Sequence, residues 1–228
     1  MKDVQRLLES ERETERRFLG QAKAEPDHPS GWPASLLMSH IATWREQLRD
    51  GLVQLRDGGP ITPPPQDVDA FNAAKLAQDA GVTLAIAASR SDQALAALID
   101  MWKAMGDQPF SWYVARTTGE ALIRNSYAHP RNHLAEHFIE RGDQARGYRI
   151  YEESAAELRE AEAPGHTLGA ALYNLACGRV AQGRFDEALR LLEEALPMRA
   201  DMRAAARDDP DLAPLRDDPR FEAMLRDR

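Results

Sequence analysis

Three histidines between Thr117 and Asp143 have the spacing that lets two side chains on one helix bind the same metal ion. His129, His133 and His137 follow one another at intervals of four residues. Residues four apart lie on the same face of a helix, so two neighbouring imidazoles of this series can bind one ion together. A transition-metal site needs at least one more ligand, which another part of the chain must supply.

A fourth histidine, His40, is far from these three in the sequence and could be a core residue or a ligand. It lies one turn from Trp44 in the apolar stripe of a helix predicted over about 33–57. A single histidine on an apolar face is more often a hydrogen-bonded core residue than a ligand, so both interpretations stay open for His40. The remaining two histidines, His28 in a proline-rich loop and His166 near a helix start, are expected to face solvent.

Pro130 changes what the histidine pair indicates. In helical zinc peptidases a glutamate directly follows the first histidine of the pair, and here Pro130 follows His129. The pair therefore does not indicate that enzyme class. Proline also removes one backbone hydrogen bond and kinks a helix, so the helix face upstream of Pro130 cannot be assigned from periodicity.

The composition predicts an all-α protein and disfavours several classes of partner. Apolar residues make up 43% of the chain, alanine is abundant, and runs of β-branched residues are few. The net charge of −8 disfavours nucleic acid and anionic membranes as main partners. No apolar run reaches the roughly 20 residues that span a bilayer. The charged N-terminus is unlike a signal peptide, and one cysteine, Cys177, excludes an intrachain disulfide, so we expect a cytoplasmic protein.

The predicted elements that carry these histidines are helices separated by short loops. Ser91 is predicted to cap the helix that precedes the histidine helix, with Asp92 in its first turn. Loops are expected over 58–67, which is rich in proline and glycine, and between the Ser91 helix and the histidine helix. The predicted helices cover about 3–24, 33–57, 68 onward, 91 onward and a final stretch that ends near Gly142.

The C-terminal part contains an internal repeat. Aligning Gly142 with Gly183 places GDQARGYRIYEESA over GRFDEALRLLEEAL, a period of 41 residues. Periods of this length are typical of stacked helical hairpins. The tail over 206–227 is similar to the short helices that cap such repeats. The second copy resembles a tetratricopeptide repeat at its packing positions, which are Leu175, Gly183, Ala188, Leu192 and Ala195.

A longer pattern in the N-terminal part resembles the DinB-like superfamily, most closely the branch that contains the DfsB and ClbS proteins. Its elements are W-x7-H-x3-W at Trp32, His40 and Trp44, then Phe71-Asn72 after the proline-rich loop, and H-x3-H-L-A from His129. The resemblance covers about residues 3–141. It implies a four-helix bundle with a divalent metal at one end, held by one histidine of the second helix and two of the fourth.

Transferred to this sequence, the resemblance implies His40, His129 and His133 as metal ligands. Periodicity supports a competing set of His40, His133 and His137, because the apolar arc of the helix is centred nearer His137 than His129. The resemblance favours the first set, since its motif begins at His129. We predict a DinB-like metal-binding bundle over 1–141 and a tetratricopeptide-like repeat with a cap over 142–228, and the histidine helix packs on both.

The resemblance implies a bacterial, metal-dependent enzyme with zinc or nickel as the ion. Three imidazoles leave coordination positions open for water or substrate. The implied reaction is thiol transfer to a small electrophile, with a low-molecular-weight thiol as partner, or hydrolysis of a reactive metabolite. The sequence names no catalytic residue, although Glu136 could orient His133, and Asn72 and Trp44 could line a pocket. The alternatives are a protein that binds partners through its repeat and one that sequesters a metabolite without metal; the oligomeric state is open, a dimer included.

Overall fold

Helices make up nearly all of the secondary structure. The computed structural model describes residues 3–22 and 31–226, and within these ranges the only strands form one short β-hairpin. This confirms the predicted all-α fold class. None of the helices in the described ranges is both long and apolar enough to cross a membrane.

The order of elements agrees with most of the predicted helices. The first are α1 (Val4–Ala22), α2 (Ala34–Arg56), α3 (Val68–Gln78), α4 (Leu84–Met105), β1 (Pro109–Trp112), β2 (Ala115–Thr117), α5 (Thr118–Ile123), a π-helical turn (Arg124–Ala128) and α6 (His129–Glu140). Then follow α7 (Gln144–Glu160), α8 (Gly165–Ala181), α9 (Phe185–Met198), a 3-10 turn (Ala200–Met202), α10 (Arg203–Asp208), a 3-10 turn (Pro210–Leu215) and α11 (Pro219–Leu225).

Helices α1, α2 and α4 pack with the α5–α6 segment around one apolar core. Helix α2 lies along α4, α1 contacts α4 and the α5–α6 segment, and α2 also contacts α6. The amphipathic period of α1 directs Leu7, Leu8 and Phe18 into this core, where they meet Leu48 and Leu52 of α2. The packing places the apolar face of α2, which carries His40, against α6. That the protein belongs to the DinB-like superfamily stays a prediction.

Ser91 lies inside helix α4, so the prediction that it caps a helix was wrong. The helix begins at Leu84, and Thr83 caps it: the Thr83 side chain accepts a hydrogen bond from the N–H of Ile86. Ser91 is fully buried, and its hydroxyl accepts a hydrogen bond of 2.7 Å from Arg45 and donates one of 3.2 Å to Glu15. Serine favours helix N-caps because its short side chain can bond nearby backbone N–H groups. Here the hydroxyl bonds two buried charged side chains instead.

A β-hairpin occupies part of the stretch predicted as a loop before the histidine helix. Strands β1 and β2 pair in antiparallel fashion, and Tyr113 in their connection has a φ of 52°. The rings of Phe110 and Trp112 are stacked with centroids 5.7 Å apart, and both are buried. Gly51 of α2 allows this approach, because a β-carbon there would lie 2.9 Å from the Trp112 ring. The hairpin thus packs its aromatic face on α2.

The C-terminal helices form two hairpins that repeat the same turn. Gly142 ends α6 and Gly183 ends α8, with φ values of 83° and 72°. In each turn the glycine N–H bonds the carbonyl three residues back, and the next N–H bonds the carbonyl five residues back. Helices α7, α8 and α9 then pack in sequence. The backbone therefore repeats with the predicted period of 41 residues, and the assignment to tetratricopeptide repeats stays a prediction.

Helix α6 contacts both parts of the chain. It packs on α1 and α2 on the N-terminal side and on α7 after the turn at Gly142. Gly147 of α7 allows the second contact, because a β-carbon there would lie 2.7 Å from the Ala135 carbonyl oxygen. The expectation that the histidine helix packs on both parts agrees with these contacts, while the division into domains at residue 141 stays a prediction.

Candidate metal centre

Three histidine side chains converge between α2 and α6. The Nε2 atom of His129 lies 3.1 Å from Nε2 of His40 and 3.0 Å from Nε2 of His133. One ligand atom from each histidine lies within 4.8 Å of the others. His129 and His133 of α6 are one turn apart, as their spacing predicted, and His40 of α2 faces them from the neighbouring helix. These three residues could hold a metal ion together.

The π-helical turn Arg124–Ala128 sets the start of α6. At its end the N–H of His129 donates to the carbonyl five residues back. Pro130 accounts for this irregularity, because it has no N–H and its ring would collide with the Ser126 carbonyl in a regular helix. A π turn adds one residue to a helical turn and so changes the phase of the residues before it. The apolar arc of the sequence, which crosses this turn, was therefore a poor guide to which histidines face α2.

Two buried hydrogen bonds connect the π turn to α2. Arg45 Nη2 donates to the Ser126 carbonyl at 3.1 Å, and Asn125 Nδ2 donates to the Trp44 carbonyl at 3.2 Å. The first bond satisfies the carbonyl that proline leaves without its helical partner. Because Trp44 follows His40 by one helical turn, these bonds fix the beginning of α6 opposite the histidine of α2.

Hydrogen bonds among the three imidazoles cannot satisfy all of their Nε2 atoms at once. Each Nε2 of a neutral ring is either one donor or one acceptor, so His129 can form a good hydrogen bond with only one of its two neighbours. A metal ion would accept the lone pairs of all three nitrogens. His133 also has the second contact that metal-binding histidines commonly make, since its Nδ1 lies 3.1 Å from the carboxylate of Glu136. That contact keeps the lone pair of His133 on the Nε2 atom that faces His129.

The environment keeps the two more deeply placed imidazoles neutral. Burial, with a smaller contribution from His133, lowers the pKa of His40 to about 3. Burial also lowers the pKa of His129 well below its ordinary value, and the neighbouring histidines add to the shift. Neutral imidazoles are the form that binds metals, so His40 and His129 need not lose a proton at neutral pH to act as ligands.

Two tryptophans enclose the histidine cluster. The ring of Trp32 is stacked near His133, with centroids 6.0 Å apart, and meets His40 edge-on at 5.0 Å. The ring of Trp44 meets His129 edge-on at 6.2 Å. The indole N–H of Trp44 donates to Asn72 at 3.0 Å, which fixes the ring and joins α3 to the site. The motif residues of the predicted pattern thus lie around one point.

His137 lies outside the cluster. It is buried, and its ring meets that of Phe18 edge-on with centroids 5.0 Å apart. Burial lowers the pKa of His137 to about 4. The described residues therefore do not bring together the competing set of His40, His133 and His137. Instead, the ring of His137 packs on Phe18 of α1, and the Trp32 carbonyl accepts a hydrogen bond of 3.0 Å from Arg141.

A cavity of about 500 Å³ opens beside the histidines and extends to the C-terminal helices. This volume is in the range of small-molecule sites. Its lining includes Asn72 and Trp44, as expected, and three residues that sequence reasoning missed, namely Arg124, His166 and Arg199. His166 is half-buried in this wall rather than fully exposed, and His28 lies outside the described residues. The missed residues come from distant elements, and only the fold brings them together.

Cys177 has the environment of an unreactive thiol. It is half-buried in α8, and burial, together with the charges of Asp209 and Asp211, raises its pKa above the ordinary value. A raised pKa disfavours the thiolate that acts as a nucleophile or metal ligand. Cys177 therefore packs in α8 and is not a candidate nucleophile or metal ligand.

Comparisons of the chain with protein-family models, with curated proteins and with solved structures find no match. The likeness to the DinB-like superfamily and to tetratricopeptide repeats therefore rests on the sequence motifs alone. What the site can do has to be argued from its own geometry and chemistry.

Proposed function

We propose that the protein is a divalent-metal-dependent enzyme that acts on a small electrophilic metabolite, by thiol transfer or by hydrolysis. The ion is bound by His40, His129 and His133, with zinc or nickel as the metal. The protein belongs, in this proposal, to the DinB-like superfamily that its N-terminal motifs resemble.

The convergence of three Nε2 atoms is the observation that carries the proposal. Two nitrogens bound at about 2.0–2.1 Å to one tetrahedral ion lie roughly 3.3 Å apart. The distances from His129 to His40 and His133 are 3.1 and 3.0 Å, so small side-chain shifts would accommodate an ion. Hydrogen bonding alone leaves one of these close approaches without a good donor–acceptor pair. Packing histidines for stability would not require three ring nitrogens to meet.

A bound divalent ion would act as a Lewis acid that acidifies a water or a thiol at neutral pH. The chain supplies the rest of the site. Three protein ligands leave room for a further ligand, which is the arrangement of catalytic rather than structural metal sites. Trp32 and Trp44 lie against the histidines, and the cavity beside them is large enough for a small molecule. These features favour small-molecule chemistry over a role in protein binding alone.

Metal content of single variants tests the proposed ligands. The full chain, purified without a nickel-affinity step, should bind about one divalent ion. Replacing His40, His129 or His133 with alanine should remove that ion. His137→Asn is the matched control, because His137 is a buried histidine of the same helix that lies outside the cluster, and it should keep the ion. Loss of metal in His137→Asn together with retention in His129→Ala would refute the ligand set.

Cobalt substitution tests the reaction class. Low-molecular-weight thiols should change the visible spectrum of the cobalt-loaded protein, because a thiolate ligand alters the transitions of the ion. Small electrophiles should then be consumed with the thiol or with water, and His133→Ala should abolish both effects. If neither thiols nor electrophiles engage the cobalt site, and a protein partner binds the C-terminal helices equally well in wild type and His133→Ala, the enzyme proposal fails.

A further inference from the structure

The cavity wall contributed by the π turn and the C-terminal helices is basic. Arg124, Arg199 and His166 line this part of the cavity. No aspartate or glutamate is among the described residues that line it, although the chain has 37 acidic residues and a net charge of −8. A cavity wall that carries arginines and, within the described ranges, no carboxylate favours ligands of negative charge.

Arg124 is the strongest of these candidate contacts. It is half-buried, its guanidinium lies over the ring of Tyr113 at 5.2 Å, and no carboxylate of the described residues forms an ion pair with it. Burial lowers the pKa of Arg124 because a charge in this position is poorly hydrated. Arg199, in contrast, is already paired with Asp201 at 2.8 Å. A guanidinium taken partly out of water without a carboxylate partner is costly unless another anion pairs with it.

Close packing of α8 against the end of α9 brings Arg199 to the cavity. Gly169 makes this approach possible, because a β-carbon there would lie 2.8 Å from Cγ of Arg199. His166, at the start of α8, lies in the same wall. The C-terminal helices therefore contribute polar groups to the cavity and do more than cover the apolar surface of the first part of the chain.

We propose that Arg124, assisted by Arg199 and His166, binds an anionic group of the substrate, a carboxylate or a phosphate, while the reacting end of the same molecule meets the histidine cluster. The placement of the reacting end at the histidine cluster rests on the proposed function. Planar guanidinium groups bind carboxylates and phosphates through two parallel hydrogen bonds, so Arg124 gives the cavity a preference for one end of the substrate. The C-terminal helices thereby take part in substrate selection.

Matched thiols test the proposal on the zinc-loaded full chain. The probes are straight-chain ω-mercapto carboxylates of two to five methylenes, their neutral amides and the corresponding phosphonates, and calorimetry measures their binding. We expect the best carboxylate or phosphonate to bind at least tenfold more tightly than its amide. In Arg124→Gln this ratio should fall close to one while the affinity for the amide stays the same. Arg149→Gln, an exposed arginine of α7, is the control and should keep the wild-type ratio.

Two further measurements separate this inference from the proposed function. Arg124→Lys keeps the positive charge but lacks the planar guanidinium, so it should retain part of the preference for anionic over neutral probes. It also serves as a second variant in case Arg124→Gln misfolds. If the chain binds no metal, the metal-free protein should still show a shift of an arginine Nε–Hε resonance with the simple carboxylates, absent in Arg124→Gln; the proposed function then fails alone. Equal affinity for anionic and neutral probes at every length, on zinc-loaded wild type, overturns the anion site while leaving the metal site intact.

Discussion

Removal of Arg131 should strongly destabilise the protein, because it would leave a buried carboxylate without its main partner. Arg131 and Glu11 are both fully buried, and Arg131 Nε donates to Glu11 at 2.9 Å. The same guanidinium contacts Glu157 of α7 at 3.2 Å and the hydroxyl of Ser10 at 2.7 Å. It therefore joins α6 to α1 and to α7. Arg131 lies between His129 and His133 in sequence, so this ion network also holds the helix that carries these two candidate ligands.

The expected cost follows from the burial of both ions. Breaking a fully buried ion pair by removing one partner costs about 3–5 kcal/mol, and a domain has about 5–15 kcal/mol of stability. Arg131→Met should therefore lower the melting temperature by about 6–20 °C, at about 2–4 °C per kcal/mol for a chain of this size. Glu11→Leu should cost less, since Glu157 still neutralises the arginine. The double variant should recover most of the loss, because no buried charge of the pair remains.

Urea unfolding of wild type, both single variants and the double variant gives the coupling energy directly. Far-ultraviolet circular dichroism and tryptophan fluorescence must report the same transition for the four free energies to be compared. Arg149→Met, at an exposed position of α7, is the control and should change the free energy of unfolding by less than about 0.5 kcal/mol. A cost below about 1 kcal/mol for Arg131→Met, or a double variant as unstable as the sum of the singles, would refute the reasoning.

Three further predictions concern the site and the helix packing. Glu136→Ala should weaken zinc binding by about tenfold in a chelator competition, the lower end of the range for such partners, because the carboxylate that meets His133 is half exposed (51%); an unchanged affinity would show that the contact does not orient the ring. His137→Asn should flatten the loss of stability on acidification: the unfolded chain takes up a proton near pH 6.5 and the native ring only near 4, so the unfolded state binds more protons between them. Native His137 therefore makes stability fall by up to about 3 kcal/mol as the pH drops through that window, and equal slopes for variant and wild type in urea titrations at several pH values would contradict this. Gly147→Val should cost about 1–3 kcal/mol in urea unfolding, since its β-carbon would collide with the Ala135 carbonyl, and a neutral effect would mean that α6 and α7 can separate without loss.

Hydrophobic periodicity and the helix-breaking prolines and glycines predicted the long helices, because each long helix buries one continuous face. The proline-rich segment 58–67 and the glycine turns at 142 and 183 were equally visible, since these residues have special backbone requirements. Ser91 was misassigned because its partners, Arg45 and Glu15, lie on other helices. The β-hairpin was missed because its strands have only four and three residues and its stability comes from packing on α2.

The candidate site also has residues that the sequence could predict and residues that only the structure reveals. His129 and His133 could be paired from their spacing, which is a local property of one helix. The family resemblance, and not the pattern, supplied His40 as their companion. Arg124, His166 and Arg199 could not be found from sequence, because three separate elements bring them to one cavity wall. A lone arginine or histidine carries no local signal of the cavity that it faces.

The irregular helix start at Pro130 explains both the failure of periodicity and the form of the site. A regular helix through this stretch would leave the Ser126 carbonyl against the proline ring, so the chain inserts a π turn and gives that carbonyl to Arg45. The same turn carries Arg124, whose side chain enters the cavity, and ends where His129 begins α6. One proline therefore couples the position of the candidate metal ligand to that of the candidate anion contact. Pro130→Ala, which permits a regular helix, should weaken zinc binding and anion preference together. If only one of the two changes, the π turn does not position both.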